Sequence, residues 1–441
     1  SSRRRHTRFK CDWSSDVCSS DLKADPPTDV PLLDDSLLTS CVHCGFCLEV
    51  CPTYKLTGDE NNSPRGRLRL WREEADGRLP ADPWTAHYTE ECVGCLACES
   101  ACPANVPYGR IFETVRHQHT VAHRTRPGAL IRWMGWLTRR PSLFQGAFWP
   151  ARLLRRIGCL PHRSVFPGAP ALSLSTAEYA RQWVARHRPT GPRVALLTGC
   201  LMEGLFREIN FATIRVLVEN NCRVEVPDSQ GCCGAFHEHA GLGGVEALQE
   251  RNREAFGGQR YDAILANSSG CGYSLSKSLG KTLEEKPASD GAGTRETTHL
   301  DGVRVVDVLV FLSELGPKAR ASRGGKAKVY VDLPCHLVHG QKVSGIPAKV
   351  LDATGYEWEL APQAKDCCGS GGIYHLERPE NAQAILRSKA AFLNDAAGDP
   401  LILATSNHVC MQQWHSARAA GIVRRPFEVR HVIQLLDPER G

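Results

Sequence analysis

The sequence has few aromatic residues and no long apolar run. Aromatic side chains make up 7% of its 441 residues, and the absence of any run of about 18 apolar residues excludes a membrane-spanning helix. Neither sign of charge dominates, with 54 basic and 48 acidic residues, which argues against a highly charged nucleic-acid-binding or disordered chain. The sequence also lacks a glycine-rich phosphate loop, a nucleophile elbow and a flavin or nicotinamide fingerprint. At roughly 100–200 residues per domain, the length predicts about two to four domains.

Cysteine is the residue that the chain has in excess, with 20 copies. Their grouping into Cys-x2-Cys and Cys-Cys patterns favours metal ligation over disulfide bonds. Thiols that bind metal clusters must stay reduced, so we expect a cytoplasmic protein, peripheral on the inner face of the cell membrane.

The first 22 residues are set apart from the rest. Residues 12–22 read DWSSDVCSSDL, which matches the translation of a common sequencing-library adapter. We therefore interpret residues 1–22 as assembly contamination, expect them to be disordered, and assign no role to Cys11 and Cys18. An export signal is not expected, because no apolar segment follows the arginines at the start of the chain.

Residues 23–125 contain the strongest motif, Cys-x2-Cys-x2-Cys-x3-Cys-Pro, twice. This spacing is typical of two [4Fe–4S] cubanes, in which the fourth cysteine of each run ligates the other cluster. The first predicted set is therefore Cys41, Cys44, Cys47 and Cys102, and the second is Cys92, Cys95, Cys98 and Cys51. Two zinc sites are the alternative, because zinc also takes four thiolates, but the doubled spacing favours cubanes. The nearby Arg65, Arg67 and Arg69 are candidates to balance a cluster's negative charge.

From about residue 191 the chain is an internal duplication. In each half, 31 residues separate a single cysteine from an adjacent pair, and a fourth cysteine follows the pair. Strand-like runs end just before these cysteines, with helical periodicity between the runs. This alternation predicts a mainly parallel α/β sheet in each half, with all eight cysteines beyond the carboxyl ends of strands. The two halves are predicted to span residues 191–318 and 326–441, with a solvated insertion loop over 281–301 in the first. We also predict a matching closing helix in each half, at VRVVDVLVFLSEL and FEVRHVIQLLDP.

Each cysteine pair is followed by glycine, which lets the backbone turn tightly around a bulky ligand. Adjacent cysteines do not form an unstrained disulfide, so each half offers four candidate ligands for a further cluster: Cys200, Cys232, Cys233 and Cys271 in the first, and Cys335, Cys367, Cys368 and Cys410 in the second. The alternative is that these are buried structural cysteines. The neighbouring His237, His239, His336 and His339 have the chemistry to donate to cluster sulfur, although structural roles are commoner. Cys159 and Cys222 fit neither pattern and are expected to be plain thiols.

The connector at residues 126–190 is basic and rich in tryptophan. Residues 114–177 contain no Asp or Glu but ten arginines, interleaved with Trp133, Trp136 and Trp149. Basic amphipathic helices with tryptophan suit an anionic membrane surface. The alternative is a helix that covers the cluster domain or docks a partner protein. RNA binding is not expected, because no recognisable binding module accompanies the aromatic residues.

Several segments together resemble the iron–sulfur subunit of glycolate oxidase, a glycolate dehydrogenase. They are CVHCGFCLEVCPTYKLTGDENNSPRGRLRL, GCCGAF, NSSGCG, PCHLVHGQK and DCCGSGGIYHL, and the resemblance covers about residues 36–441. It implies an α+β multidomain protein, with an N-terminal helical 2[4Fe–4S] ferredoxin-like domain followed by two duplicated α/β CCG domains with mainly parallel sheets. It also implies a subunit that passes electrons from a separate FAD-containing subunit, the site of 2-hydroxy-acid oxidation, towards membrane quinone. No catalytic residue is then expected on this chain.

Two other functions stay open at this point. The CCG segments are also similar to those of heterodisulfide reductase, in which a fifth cysteine, three residues before the last, helps to hold a non-cubane cluster. Ser268 and Asn407 occupy that position here, which weakens the case for a thiol–disulfide reductase. The iron–sulfur subunits of anaerobic glycerol-3-phosphate and D-lactate dehydrogenases share both kinds of segment, so the sequence separates them only weakly from glycolate oxidase.

Overall fold

The computed structural model describes residues 35–80, 82–147, 149, 174–279, 298–300, 302–321 and 327–440. The proposed contaminating segment, residues 1–22, lies outside the described residues, as do Cys159 and most of the predicted insertion loop. Within the described ranges, no helix has both the length and the apolar character needed to cross a membrane.

The first part of the chain is helical. Its helices are α1 (Asp35–Thr39), α2 (Pro52–Thr57), α3 (Pro64–Ala75), α4 (Pro83–Glu90), α5 (Ala97–Ser100) and α6 (Tyr108–Val121), with a 3-10 turn at Glu60–Asn62. Proline opens α2, α3 and α4, where the first turn needs no backbone N–H. The side chains of Ser63 and Asp82 cap α3 and α4 by accepting hydrogen bonds from backbone N–H groups. Leu68, Trp71 and Phe112 form the core between these helices.

The described connector consists of α7 (Ala129–Thr138) and α8 (Pro141–Ala147). The next helix, α9 (Thr176–His187), falls at the end of the predicted connector. It contacts the segments Arg207–Glu219 and Arg223–Glu225 of the first sheet domain. Structurally, α9 therefore belongs to that domain.

The first sheet domain has five strands in the order β2-β1-β3-β5-β4. The strands are β1 (Arg193–Leu197), β2 (Arg223–Glu225), β3 (Ala263–Ala266), β4 (Thr298–Leu300) and β5 (Val303–Asp307). All pairings are parallel except that of the edge strand β4 with β5. The helices that follow the strands are α10 (Cys200–Leu205), α11 (Arg207–Glu219), α12 (Ala235–Ala240), α13 (Val245–Phe256), α14 (Ser269–Leu279) and α15 (Val308–Leu315).

The second sheet domain has four parallel strands in the order β7-β6-β8-β9. They are β6 (Lys328–Val331), β7 (Glu357–Leu360), β8 (Leu401–Thr405) and β9 (Glu428–His431). The helices are α16 (Ala348–Asp352), α17 (Tyr374–Glu377), α18 (Pro379–Ala390), α19 (His408–Ala419) and α20 (Val432–Leu435), with a π turn at His336–Gly340 and 3-10 turns at Ala391–Asn394 and Pro438–Arg440. Counted within each half, the parallel strands follow one order, second-first-third-fourth, which confirms the duplication.

Two local predictions need correction. The segments predicted as matching closing helices each begin with the fourth parallel strand, β5 or β9, and only their second parts are helices, α15 and α20. A short apolar run does not distinguish strand from helix by periodicity, and pairing with β3 or β8 settles it here. The predicted insertion loop also ends in structure, because its residues Thr298–Leu300 form β4.

Asp307 gives this fold a testable pH dependence. It ends β5 and caps α15, with Oδ1 accepting a hydrogen bond from the Leu309 backbone N–H at 2.9 Å, while Oδ2 is buried without a hydrogen-bond partner. Burial raises the pKa of Asp307 to about 7. Folded protein then keeps a proton that the unfolded chain releases near pH 4, so the free energy of unfolding falls by about 1.4 kcal/mol per pH unit between those pKa values.

The variant D307N keeps the capping acceptor and removes the charge. We expect its melting temperature to exceed that of the unmodified protein increasingly as the pH rises from about 5 to about 7, with the difference levelling off above that. Melting curves of the two proteins at several pH values measure this. A constant difference between them would show that Asp307 has no raised pKa.

Candidate metal centres

The first predicted cysteine set surrounds one cavity. Its four thiols, together with Cys98 of the second set, line one cavity between the loop that follows α1 and the end of α5. Gly45 bends this loop with a φ of +90°, and a Cβ there would lie 2.8 Å from Nη1 of Arg65. Cys44 is exposed, and its neighbours Val42 and Phe46 are 69% and 65% exposed. This site therefore reaches the protein surface.

The second predicted set is buried. Cys51 immediately precedes α2, whereas Cys92, Cys95 and Cys98 lie between α4 and the first turn of α5, and all four are buried. Burial raises the pKa of the Cys98 thiol, and the neighbouring thiols of this set, Cys51 included, raise it further. The backbone N–H of Gly94 donates to the Cys92 sulfur at 3.4 Å. The fold therefore brings Cys51, which belongs to the first cysteine run, to the cysteines of the second run.

Arg67 supplies positive charge beside the second set. Its side chain is fully buried and donates through Nε to the Tyr88 carbonyl at 2.6 Å and through Nη2 to Thr53 Oγ1 at 3.1 Å, while Nη1 has no hydrogen-bond partner. Burial opposes its charge, but Tyr108, Cys92 and Cys51 raise the pKa of Arg67 above its ordinary value. An unbalanced buried cation is costly. An anionic iron–sulfur cluster held by these thiols would balance it, so the residues present fit a cluster.

The three candidate arginines of α3 have different surroundings. Arg65 pairs with Glu60 at 2.6 Å and donates to the His43 carbonyl at 3.2 Å, beside the first set. Arg69 is 59% exposed and pairs with Glu73. Of the three, only Arg67 is buried among thiols.

The variant R67Q should make the midpoint potential of the buried cluster more negative. Reduction adds negative charge, which a nearby guanidinium favours, and we expect a loss of roughly 60 mV or more, about tenfold in the one-electron equilibrium. Redox titration followed by electron paramagnetic resonance measures the shift. R69Q is the matched control on the same helix and should leave the potential unchanged; equal shifts in both variants would remove Arg67 from this role.

The cysteines of the two sheet domains lie beyond the carboxyl ends of parallel strands, as predicted. In the first domain, the Sγ atoms of Cys200 and Cys232 are 3.3 Å apart, and Cys233 interacts with both Cys232 and Cys271. In the second, the Sγ atoms of Cys368 and Cys410 are 3.4 Å apart, and Cys367 interacts with both Cys335 and Cys368. Each half thus gathers its four thiols into one group, hereafter the first and second CCG sets.

Glycine shapes the backbone at both cysteine pairs. Gly234 and Gly369 have φ values of +97° and +82°, in the left-handed region that favours glycine. At Gly369 a Cβ would lie 2.7 Å from the carbonyl oxygen of Ala382. The backbone N–H of Gly369 donates to the Cys367 sulfur at 3.4 Å. Both glycines therefore allow the tight turn that the sequence predicted.

Every described cysteine is a free thiol. Among the described residues, no group of three or more His, Cys, Asp or Glu side chains is arranged to hold a single metal ion.

The buried ferredoxin set contacts the second CCG set. Cys95 packs in one apolar cluster with Cys335 and Cys367. The Val93 carbonyl oxygen lies so close to Gly371 that a Cβ there would be 2.5 Å away. Around this contact, ion pairs join the two domains: Arg378 with Glu90 at 3.0 Å and with Glu91 at 2.5 Å, and Arg116 with Glu377 at 3.3 Å.

The four predicted histidines are mostly structural. His237 bonds to Thr138 at 2.9 Å, and His339 bonds to Ser100 at 2.8 Å, so each joins two parts of the chain. The His239 ring packs against Gly94, where a Cβ would be 3.1 Å away. Of the four, His336 contacts a thiol, with Nδ1 3.5 Å from the Cys335 sulfur.

The two positions that replace the fifth cysteine make other contacts. Ser268 Oγ is 2.9 Å from Nδ1 of the buried His408, and Asn407 caps α19 by accepting a hydrogen bond from the Val409 N–H at 3.1 Å. Burial lowers the pKa of His408 to about 4. The Ser269 N–H also donates to the Ser406 carbonyl at 3.3 Å. The strand ends of the two sheets therefore meet directly, with each CCG set limited to four thiols.

Sequence reasoning missed the groups that join the domains. Lys277 pairs with Glu113 at 2.6 Å and with Glu238 at 3.1 Å, and burial raises the pKa of Glu238 to about 7. His408, beside the first CCG set, was also missed. These contacts join segments far apart along the chain, 164 residues in the case of Lys277 and Glu113. No local pattern predicts such pairs.

Comparison with known families agrees with this organisation. Residues 37–106 match the family described as "4Fe-4S dicluster domain", and residues 194–276 and 330–413 each match the family described as "Cysteine-rich domain". The matches confirm the predicted fold class, a helical dicluster domain followed by two α/β CCG domains, and show a protein that binds iron–sulfur clusters.

Similar proteins cover most of the chain. The probable glycolate oxidase iron–sulfur subunit of Bacillus subtilis (strain 168) is 30% identical, with 86% of this chain and 89% of that protein aligned. The glycolate oxidase iron–sulfur subunit of Escherichia coli (strain K12) is 32% identical, with 91% and 94% aligned. A subunit of the fumarate reductase (CoM/CoB) of Methanothermobacter marburgensis is 28% identical, with 84% and 66% aligned.

Proposed function

Because the chain belongs to the family of glycolate oxidase iron–sulfur subunits, we propose that it transfers electrons within a 2-hydroxy-acid dehydrogenase complex. A separate FAD-containing subunit oxidises the substrate, and this chain carries the electrons towards membrane quinone. Iron–sulfur clusters supply one-electron transfer when bound. We assign one [4Fe–4S] cluster to Cys41, Cys44, Cys47 and Cys102, and a second to Cys92, Cys95, Cys98 and Cys51.

The observation that carries this proposal is the continuity of the thiol sets. The first ferredoxin set opens to the surface at Cys44, the second is buried beside it, and Cys95 of the second set packs against Cys367 of the second CCG set. The second CCG set in turn adjoins the first domain, where His408, two residues before Cys410, bonds to Ser268. Electrons therefore have a route through the interior, from the exposed site to the first CCG set.

The surface at Cys44 suits the flavin partner. Val42 and Phe46 place two exposed apolar side chains on the loop that holds the first set. Exposed apolar side chains beside a functional group mark interaction surfaces. A flavin subunit docked there delivers electrons to the set nearest the surface.

Reconstitution tests the proposed function. We expect the purified holoprotein alone to oxidise neither glycolate nor D-lactate, and to reduce a soluble one-electron dye only when a flavin subunit and its 2-hydroxy acid are added. Offering flavin subunits of glycolate, D-lactate and glycerol-3-phosphate dehydrogenases in turn identifies the donor. Substrate oxidation by the isolated chain would contradict the proposal.

A thiol–disulfide reductase of the heterodisulfide type is the second candidate. The relative named as a CoM/CoB fumarate reductase subunit favours it, and its chemistry requires a cluster that meets a disulfide. Ser268 and Asn407 weigh against it, because neither supplies a fifth thiolate: Ser268 bonds to His408, and Asn407 caps α19. Reduction of a mixed disulfide by the reduced holoprotein would favour this function over electron relay.

The connector suits a membrane surface. Trp133 and Trp136 are 53% and 47% exposed on α7, Leu143 is 52% exposed on α8, and the Arg140 guanidinium lies 4.2 Å from the centre of the Trp136 ring. With no acidic residue between positions 114 and 177, this surface complements anionic lipid headgroups. Such apolar and cationic contacts together hold a helix in the membrane interface.

The variant W133S/W136S should lose most of its binding to anionic vesicles. The two indoles provide apolar contact with the acyl boundary that arginines alone do not. Co-sedimentation with vesicles containing phosphatidylserine, at low and high salt, measures binding. W84S, which removes a tryptophan 51% exposed on the ferredoxin domain, is the matched control. If the double variant instead loses the flavin subunit while still binding vesicles normally, the connector is a partner interface.

A further inference from the structure

Three buried polar side chains meet in the interior of the second CCG domain. Lys389 Nζ lies 2.5 Å from Asp332 Oδ1, and Trp414 Nε1 donates a hydrogen bond to Asp332 Oδ2 at 2.8 Å. Each of the three residues is at most 3% exposed. They are hereafter the Lys389 triad, which connects the end of β6 with α18 and α19.

Two members of the triad belong to segments that carry cysteines. Asp332 is three residues before Cys335 and directly follows β6, and Trp414 is four residues after Cys410, one turn further along α19. The hydrogen bond between Asp332 and Trp414 therefore joins the first and the last cysteine segments of the second CCG set.

Lys389 attaches the remaining segment, which leads into the cysteine pair. Its ammonium group donates hydrogen bonds to the backbone carbonyl oxygen of Ala364, at 3.2 Å, and to that of Asp366, the residue before Cys367. With the Asp332 carboxylate, Nζ therefore has three oxygen partners, one for each proton that an ammonium group can donate. All three cysteine segments of the second CCG set thus meet at one buried cation.

The first CCG domain reaches the same fold without such a triad. Counted from the cysteines, Leu197 and Leu275 take the places of Asp332 and Trp414, and both leucines belong to the apolar core of that domain. A neutral amide holds the segment at its cysteine pair, because Asn252 accepts one backbone hydrogen bond there at 2.9 Å and donates another at 2.9 Å. Apolar residues often replace a buried ion pair without loss of stability, so the fold itself does not need the triad.

The two CCG sets therefore differ in the charge beside them. Burial opposes the charge of Lys389, but Asp332 and the Cys368 thiol raise the pKa of Lys389 above its ordinary value, so this side chain stays a cation beside the second set. The basic side chain that acts on Cys233 of the first set is His408, and burial lowers the pKa of His408 to about 4, which leaves it neutral at pH 7.

We propose that Lys389 is a positioning residue that stabilises the reduced state of a cluster held by the second CCG set, which gives this set a higher midpoint potential than the first. The inference rests on the proposed electron-transfer function. Reduction adds one electron, which the flavin partner loses, and a neighbouring cation lowers the free energy of the added negative charge. Between transfers the electron then rests on the second CCG set, beside Cys95 of the buried ferredoxin set.

Redox titration of two variants with opposite changes of charge tests this role. K389M removes the cation, and we expect the midpoint potential of the second CCG cluster to become more negative by roughly 60 mV or more, about tenfold in the one-electron equilibrium. D332N removes the carboxylate that offsets the cation, and we expect a shift in the opposite direction. A purely structural role does not produce opposite shifts. Shifts of the same sign, or no shift in either variant, would overturn the proposal.

Controls assign the signals to their sites. The paramagnetic resonance signal that is lost in C410A belongs to the second CCG set, and the signal that is lost in C271A belongs to the first. R387Q should leave both potentials unchanged, because Arg387 is exposed on α18 two residues from Lys389. In the unmodified protein, the second-set signal should titrate at the higher potential, and an equal or lower potential would overturn the proposal. This last comparison is decisive even if K389M and D332N lose their clusters.

Iron content and dye reduction distinguish a failure of this inference from a failure of the proposed function. If C410A loses no iron, the second CCG set holds no cluster and the inference fails, whereas dye reduction through the ferredoxin clusters would remain. If the unmodified complex with its flavin subunit and 2-hydroxy acid does not reduce a soluble dye, the electron-transfer function itself fails. Normal dye reduction together with opposite shifts in K389M and D332N would support both.

Discussion

Replacing Cys51 with alanine is expected to remove the buried ferredoxin cluster and to leave the exposed one. Cys51 belongs to the first cysteine run in sequence, yet it lies with Cys92 and Cys98 in the structure. A cubane that loses one of four thiolates is lost or severely destabilised, so iron should fall by about four atoms per chain. Iron analysis after anaerobic purification measures this.

Double variants decide which cysteines share a cluster. If Cys51 and Cys92 hold one cubane, C51A/C92A should lose no more iron than C92A alone. In contrast, C51A/C44A should lose about eight iron atoms, because it breaks both ferredoxin cubanes. C222A is the control, because Cys222 is fully buried and belongs to neither pattern. If C51A/C92A instead loses as much iron as the two single variants added together, each cysteine run binds its own cluster.

The CCG sets are expected to raise the iron content beyond the two ferredoxin cubanes. If both sets hold clusters, we expect about twelve to sixteen iron atoms per chain, and C232A and C367A should each remove the iron of one set. Each set is a compact group of four reduced thiols, which is the donor chemistry that iron–sulfur clusters require. About eight iron atoms in the unmodified protein would instead make the CCG domains structural.

The two CCG variants should differ in their effect on the ferredoxin domain. Cys367 packs against Cys95, whereas Cys232 lines a small cavity together with Phe144 of the connector. We therefore expect C367A, but not C232A, to change the paramagnetic resonance spectrum of the reduced ferredoxin clusters. C222A again serves as the control. Identical spectra in C367A and C232A would show that the Cys95 contact carries no redox coupling.

Much of the organisation was accessible from the sequence because it is local or repeated. Cysteine spacing predicted two ferredoxin sets from a few tens of residues, and the repeated interval of 31 residues predicted the duplication. Alternating strands and helices then placed the CCG cysteines at strand ends, because parallel strands share one carboxyl edge. The positive φ values at Gly234 and Gly369 agree with the glycines that the motif contains.

The predictions that failed also concerned local structure. The start of each predicted closing helix is a strand, since a segment of four or five residues fits either element until a neighbouring strand pairs with it. The arginines of α3 looked equivalent, but the helix turns Arg67 towards Cys92 and Arg69 towards solvent. Because Arg65, Arg67 and Arg69 are spaced two residues apart along the helix, their side chains point in different directions.

The sequence by itself determined which residue types could hold clusters, how many sets they form, and that the last two sets are copies. Only the tertiary structure decided how the sets are connected: Cys95 meets Cys367, and His408 of the second domain meets Ser268 of the first. The physical reason is that spacing along the chain governs contacts within one loop or turn. Contacts between domains arise from the packing of whole surfaces, whose partners lie hundreds of residues apart.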